Sequence, residues 1–261
     1  VAIVNWNTPE SAVASSRVFS RSAGVRPTVT VIDNDSSPDR RQRLEELNEA
    51  PVSLILSEEN LGYGKAANLA LRNGTGQFVC VCNADATPLP DALQNLIKAI
   101  GSRPDAGVAG PVFRDGTNSY HDRLPSPWTL LVRSFIGSYG RREQVVPSPD
   151  SIEEVEQPSG AFLVMRRELW EQIGGFDEEF FLWYEDIDLA RRLVDMGRVN
   201  LVVGSAMADH QGAESFDKLD SKEQQSARLP SLALYIRKHH PRWVPLSRPL
   251  LWASTKIRAR G

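Results

Sequence analysis

Phe78-Val79-Cys80-Val81-Cys82 runs straight into Asn83-Ala84-Asp85. The unbroken β-prone run reads as a buried strand of a parallel sheet. In open α/β sheets ligands gather beyond the carboxyl ends of such strands, so this amide and carboxylate stand where ligands collect. A carboxylate there suits a hard divalent cation, and that cation in turn holds a diphosphate. Asn and Asp are also turn residues. Taken alone the triplet reads first as a turn, and the surrounding chain reverses that order.

Upstream, Val1-Ala2-Ile3-Val4 reads as a strand, with a helix from near Pro9. Val29–Ile32 and Val52–Leu56 are further strands, with a charged helix over 39–49 between them. Asn60-Leu61-Gly62-Tyr63-Gly64 is a tight loop opening a helix that runs to about Arg72 and stops at Asn73-Gly74. Downstream come a helix over 90–101 and a strand over 106–110. This alternation means βαβ units and a mainly parallel, Rossmann-like sheet. Its strands repeatedly end in Asn or Asp: Asn5, Asp33 and Asn83.

The second half is mixed. Residues 111–152, rich in Pro, Gly, Ser and Arg, read as a long mobile excursion. Gln157–Met165 reads as one strand through Ser159-Gly160-Ala161, with a helix from near Arg167. The aromatic stretch Phe180–Trp183 precedes a helix over Tyr184–Met196 closed by Gly197. Val199–Val203 is a further strand. With no linker between them, residues 1–222 read as one α/β domain, and 223–261 as a basic tail.

The chain has 261 residues, 41% hydrophobic and 24% charged, so it is globular with a sizeable core. Thirty basic against 33 acidic residues give a net charge of −3, which offers nucleic acid nothing overall. The charge is unevenly spread. From Arg228 onward there are Arg237, Lys238, Arg242, Arg248, Lys256, Arg258 and Arg260 and no acid, an asymmetry that hints at an anionic partner. Tyr235, Trp243, Leu246, Leu250, Leu251, Trp252 and Ile257 lie among them, so the tail reads either as membrane-facing or as packed on the acidic body. Its prolines restrict any amphipathic helix to a short one beginning near Leu250. Cys80 and Cys82 share one strand face, roughly 6.5–7 Å apart, which disfavours a disulfide and suggests a reducing, cytoplasmic setting. No run of about 18 apolar residues suggests a transmembrane helix, no signal peptide is visible, and a few residues are expected to precede Val1.

Several constellations carry chemistry beside an ordinary reading. Asp33 can accept from a base N–H or a ribose hydroxyl, or it is a turn residue near a cap supplied by Ser36 or Ser37. The loop 60–64 and the helix start after it suit an anion, or they are a plain cap. In Trp183-Tyr184-Glu185-Asp186-Ile187-Asp188, two carboxylates open a helix and diverge by about 100°. One can face a cleft while the other caps or pairs with Arg191 or Arg192. They form an acidic first turn favoured by the dipole, or a walled, partly desolvated site. His210, after a strand, is a metal ligand or a structural histidine.

Taken in order, Val4-Asn5-Trp6-Asn7, Ile32-Asp33-Asn34-Asp35-Ser36, Asn60-Leu61-Gly62-Tyr63-Gly64, Asn83-Ala84-Asp85, Ser159-Gly160-Ala161, Gly174-Gly175-Phe176-Asp177-Glu178, Glu185-Asp186-Ile187-Asp188-Leu189 and Asp209-His210 resemble family 2 glycosyltransferases of GT-A fold, closest to a rhamnosyltransferase-like branch. The resemblance covers residues 1 to about 215. It implies a nucleotide-sugar-binding half (1–110), an acceptor and catalytic half (111–222), and an inverting transferase dependent on Mg²⁺ or Mn²⁺. Asp33 would contact the base and Asn83 the ribose, with Asn5, Asn7, Asn60, Gly62, Lys65, Asn68 and Ala84 also on the donor side. Asp85 would hold the metal, with His210 a further ligand. Asp186 would be the general base with Glu185 next in line, and Gly160, Trp183 and Tyr184 would face the acceptor. Asn83 stands where the family often has Asp, leaving one carboxylate for the metal, and Lys65 stands where a small residue is expected.

The expected function is sugar transfer from a dTDP- or UDP-linked donor to a hydroxyl of a glycan or lipid-linked acceptor, in the cytoplasm or peripherally on the inner membrane face. A sugar-nucleotide pyrophosphorylase would need a Gly-rich loop with Arg and Lys after the first strand, and Asn5-Trp6-Asn7-Thr8-Pro9 has none. A non-catalytic nucleotide-sugar-binding module would have no use for both Asp85 and Asp186.

Overall fold

The computed structural model describes residues 1–45, 52–114, 120–121, 123–136, 147–210 and 221–258. In the first half, β1 (Ala2–Asn5), β2 (Val29–Asn34), β3 (Val52–Ser57) and β4 (Phe78–Asn83) alternate with α1 (Pro9–Ser20), α2 (Pro38–Glu45) and α3 (Tyr63–Leu71). Then follow β5 (Ala86–Pro88), α4 (Ala92–Ser102), β6 (Ala106–Phe113), β7 (Tyr120–His121), α5 (Pro127–Ile136), β8 (Ile152–Val155), β9 (Gln157–Pro158), β10 (Phe162–Arg166), α6 (Arg167–Ile173), α7 (Glu185–Asp195) and β11 (Val199–His210). The chain ends in α8 (Ser221–His239), a short 3₁₀ turn and α9 (Val244–Arg258).

The main sheet has the order β3-β2-β1-β4-β10-β6-β11-β5, with β8 joined to β11. The first four strands pair in parallel, as the alternation predicts. β10 runs antiparallel to both β4 and β6. β11 is parallel to β6 and antiparallel to β5 and β8. Helices cover both faces. On one, Phe19 of α1 and Leu96 and Ile100 of α4 pack over Ile3, Val31, Cys82 and Phe162. On the other, Ala66 and Ala67 of α3, Trp170 of α6 and Leu189 of α7 pack over Val4, Val81 and Leu163. Cys80 and Cys82 share the first face and are free thiols, as alternation requires.

The second half corrects several expectations. Gln157–Met165 is not one strand. β9 pairs off the main sheet with β7, the backbone turns at Ser159–Ala161, and β10 then enters the sheet. β11 runs on to His210 by absorbing two register shifts, so His210 lies on the strand and not after it. The excursion 111–152 contains the end of β6 and the helix α5, whose Leu130 and Leu131 are buried. Within it Arg141 and Arg142 lie outside the described residues, and Arg114 pairs with Asp209 at 2.5 Å.

The basic C-terminal segment packs on the body, and the expected boundary at 222/223 falls inside α8. Leu232, Tyr235 and Ile236 of α8 and Leu251 of α9 form a third core with Leu130, Leu131, Phe180, Tyr184 and Ile187. Tyr235 and Leu251, expected on a lipid-facing side, are therefore interior. α9 starts at Val244, earlier than expected, because Pro245 fits a first turn; Pro249 lies inside the helix. Among the described residues no helix is long and apolar enough to cross a membrane.

Each large apolar side chain uncovered there costs about 1.5–3 kcal/mol. Deleting residues 223–261 should therefore lower Tm by about 10 °C or more, or give insoluble protein. A truncated chain melting with the full-length protein in differential scanning fluorimetry would refute the shared core.

Candidate functional site

The carboxyl ends of β1, β2 and β4 lie along one edge of the sheet. Asn5, at the end of β1, is fully buried. Its Nδ2 donates to Asp33 Oδ1 (2.9 Å) and Ser36 Oγ (3.2 Å), and its Oδ1 accepts from the amide and hydroxyl of Thr8. Asp33 is equally buried and also accepts from the Ser36 amide and from Arg41 Nε at 3.0 Å. Asn5, expected to face the donor, is thus an internal clasp, and Asp33 is held by protein partners on both oxygens. Asn7 adopts a left-handed backbone (φ 60) that lets its Oδ1 accept from the Ser37 amide.

Asn34, which the sequence reading passed over, fastens the next loop. Its Nδ2 donates to Asn60 Oδ1 (3.0 Å) and the Gly62 carbonyl (3.3 Å), and its Oδ1 accepts from the Leu61 amide (2.8 Å). Gly62 needs φ 79, and a Cβ there would collide with the Phe181 carbonyl. That carbonyl accepts from the Tyr63 amide at 3.0 Å. The loop before α3 and the loop before α7 therefore touch backbone to backbone. Lys65 stands half-buried in the first turn of α3. Asn68, expected on the donor side, instead exchanges hydrogen bonds with both backbone groups of Phe176 and donates to Glu178, so it holds the 174–178 loop.

At the end of β4, Asn83 is half-buried, and Ala84 and Asp85 are buried. The register of β5 on β11 sets His210 opposite Ala86. Asp85 Oδ1 and His210 Nε2 consequently stand 3.4 Å apart, with the Phe113 ring against the imidazole. Two of the expected metal groups are thus brought together by strand pairing. Among the described residues no third His, Cys, Asp or Glu completes a protein cage. One carboxylate and one imidazole suit a cation that takes its remaining ligands from phosphate and water.

The Asn83 amide donates to the Ala161 carbonyl at 2.8 Å, which puts the Ser159–Ala161 turn on the same edge. A Cβ on Gly160 would lie 2.6 Å from Asp186 Cβ and 2.7 Å from its Oδ2, so only glycine admits that carboxylate. Trp183 (φ 62) and Tyr184 (φ 69) are consecutive left-handed residues that deliver the chain into α7. Glu185 is buried, and its Oε2 has no hydrogen-bond partner among the described residues. Burial, then the adjacent Asp186 and Asp188, push its carboxyl up to about 8. Asp186 is also raised, chiefly by burial, but amides of Ile187, Gly160 and its own residue pull the other way; Ile187 N donates to its Oδ1 at 2.8 Å. Burial thus raises both carboxyls, and the amides around Asp186 offset part of the rise there.

The Glycosyl transferase family 2 model matches residues 17–173. The chain is 28% identical over 247 residues to N-acetylglucosaminyl-diphospho-decaprenol L-rhamnosyltransferase of Mycobacterium tuberculosis, covering 87% of this chain and 80% of that protein. It is 28% identical over 143 residues to Rhamnosyltransferase WbbL of Escherichia coli, covering 51% of this chain and 54% of that one. Among solved structures, mannosyltransferase PcManGT from Pyrobaculum calidifontis in complex with GDP-Man and Mn²⁺ superposes with TM-score 0.60 at 19% identity, over 100% of this chain and 74% of that one. TarS of S. aureus (residues 1–349) in complex with UDP gives 0.56 at 16% identity, over 90% and 64%. The architecture is the expected GT-A fold, and the chain belongs to glycosyl transferase family 2.

Proposed function

We propose that this glycosyltransferase moves a sugar, rhamnose or a relative, from a dTDP- or UDP-linked donor to a hydroxyl of a lipid-linked or polysaccharide acceptor, with inversion. The observation that carries this reading is the convergence on one sheet edge of Asp186, held by backbone amides against Gly160, with the Asp85–His210 pair. The similarity to rhamnosyltransferases supports the sugar and acceptor classes. Fold alone would not, since one fold hosts many chemistries.

In this reading Asp186 takes the proton from the acceptor hydroxyl. The freed oxygen bonds to the anomeric carbon, and the carbon–oxygen bond to the diphosphate breaks with its electron pair leaving on the diphosphate. Glu185, kept neutral, spares Asp186 a second negative charge beside it. Trp183 narrows the acceptor side and limits water, whereas Tyr184, expected there, is buried in the third core against Tyr235. Asp85 and His210 would hold Mg²⁺ or Mn²⁺, which supplies charge neutralisation for the departing diphosphate. Asp33 and its clasp shape the base end, and Asn83 the ribose end. A lipid-linked acceptor would bring the exposed part of α9, with Leu246 and Arg248, and Arg242 of the 3₁₀ turn before it towards an anionic membrane surface.

Asp186→Asn should keep donor binding and lower turnover by about 10²-fold or more. Turnover near that of the wild type would transfer the role to Glu185. In titration calorimetry, Asp85→Ala should abolish the part of nucleotide affinity that EDTA removes from the wild type. Identical affinities with and without EDTA in both proteins would dismiss the metal site.

Glu185 has a folded-state value above its unfolded one, so its protonation favours folding below about pH 4.5 and that stability is lost as pH rises towards about 8. Within that window each pH unit removes up to ~1.4 kcal/mol. Urea melts at pH 5.5 and 7.5 should therefore show wild type losing more stability than Glu185→Gln. Equal losses would mean that Glu185 is not held protonated.

A further inference from the structure

Two consecutive left-handed residues, Trp183 and Tyr184, precede the Glu185–Asp186 pair. For side chains with a Cβ that conformation costs roughly 1–2 kcal/mol each, and it persists only where the surroundings impose it. The restraint comes largely from α8. Ser231 Oγ donates to the Leu182 carbonyl at 2.7 Å. The Tyr235 ring lies 5.8 Å from the Tyr184 ring and 4.7 Å from the His239 ring. Lys238 bridges Asp177 and Glu179 at the start of the same loop.

The tightest tie is to α7 itself. Asp188, 1% exposed, sits in its first turn, separated from the pair by Ile187. Its Oδ1 meets His239 Nε2 at 2.7 Å, and its Oδ2 accepts from Arg192 Nε at 2.7 Å. Arg192 donates onward to the carbonyls of Ile173 (3.0 Å) and Gly175 (2.9 Å). A buried carboxylate that loses one of two partners is left undersatisfied, and the segment around it shifts to find another. All of α8 lies beyond residues 17–173, which the family model matches.

We infer that α8 is the element that positions the catalytic pair, and that His239, acting through Asp188, is its positioning residue. The inference rests on the assignment of Asp186 as base, and its test reads a different quantity. In the full-length chain, His239→Leu should speed amide hydrogen exchange in peptides covering 181–190 by about tenfold or more, with β4 and α4 unchanged. Release of nucleoside diphosphate from dTDP-rhamnose with Mn²⁺ should show kcat lowered about tenfold and donor KM within about twofold. His239→Gln, which keeps a donor near Nε2, should restore both.

Unchanged exchange over 181–190 in His239→Leu would overturn the inference, as would equal acceleration throughout the chain or failure of His239→Gln to restore. If His239→Leu does not fold, Ser231→Ala takes its place, with the same local exchange expected and its absence equally fatal. Asp186→Asn should leave exchange over 181–190 as in wild type. An active Asp186→Asn would thus discard the base assignment, whereas the exchange data alone decide the role of α8.

Discussion

β4 and β6 run the same way, and β10 is inserted between them in the opposite direction. An antiparallel strand enters a sheet at the edge its parallel neighbours leave. The turn that feeds β10 is therefore forced onto the ligand-collecting edge, beside Asn83. At its middle stands Gly160, the one residue type that leaves room for the Asp186 carboxylate. A hydrogen bond from the Asn83 amide to the Ala161 carbonyl ties the end of β4 to this turn, and the Tyr63 amide bonded to the Phe181 carbonyl ties the loop before α3 to the loop before α7.

Two adjacent carboxylates then meet different surroundings. Glu185 points into the protein, where nothing described donates to its Oε2, and neutrality is the cheaper state. Asp186 points at backbone amides on the helix start, where charge is tolerated. Their divergence around the helix axis is a matter of helical geometry, but one of the amides that offset burial at Asp186 comes from the Ser159–Ala161 turn, a stretch distant in sequence. The same holds for Asp85 and His210, far apart along the chain and joined only by the pairing of β5 with β11.

The parallel half was legible because its signals are local: buried apolar runs, Pro9 at a helix start, Gly62 at a tight turn. The acidic pair and the Asp85–His210 pair were legible as residue types in a familiar order. The internal partners of Asn5 and Asn68 were not legible because a polar residue at a strand end or on a helix reads alike whether it faces a ligand or closes an internal hydrogen bond. Asn34 and His239 were passed over for the same reason in reverse. Asn34 lay inside a noted motif without a task of its own, and His239 was absorbed into a run of basic residues read as tail. The break at Gly160 was hidden because Gln157–Met165 has the composition of one strand, and the closeness of Asp186 that demands a glycine there comes from a helix distant in sequence.

Cys80 and Cys82 occupy the centre of the sheet, on β4, between β1 and β10. Burial raises the Cys80 thiol to about 12 and holds the Cys82 thiol well above its ordinary value, and Cys82 Sγ lies 3.3 Å from the carbonyls of Asn83 and Ala86. The native protein therefore offers an alkylating reagent almost no thiolate. Any modification must wait for the layer of α1 and α4 that covers this face to lift from the sheet. The chain thus has its own clock for that event: labelling of its two thiols measures how often the helical layer parts from the central strand, separately from the looser motions of the loops around the site.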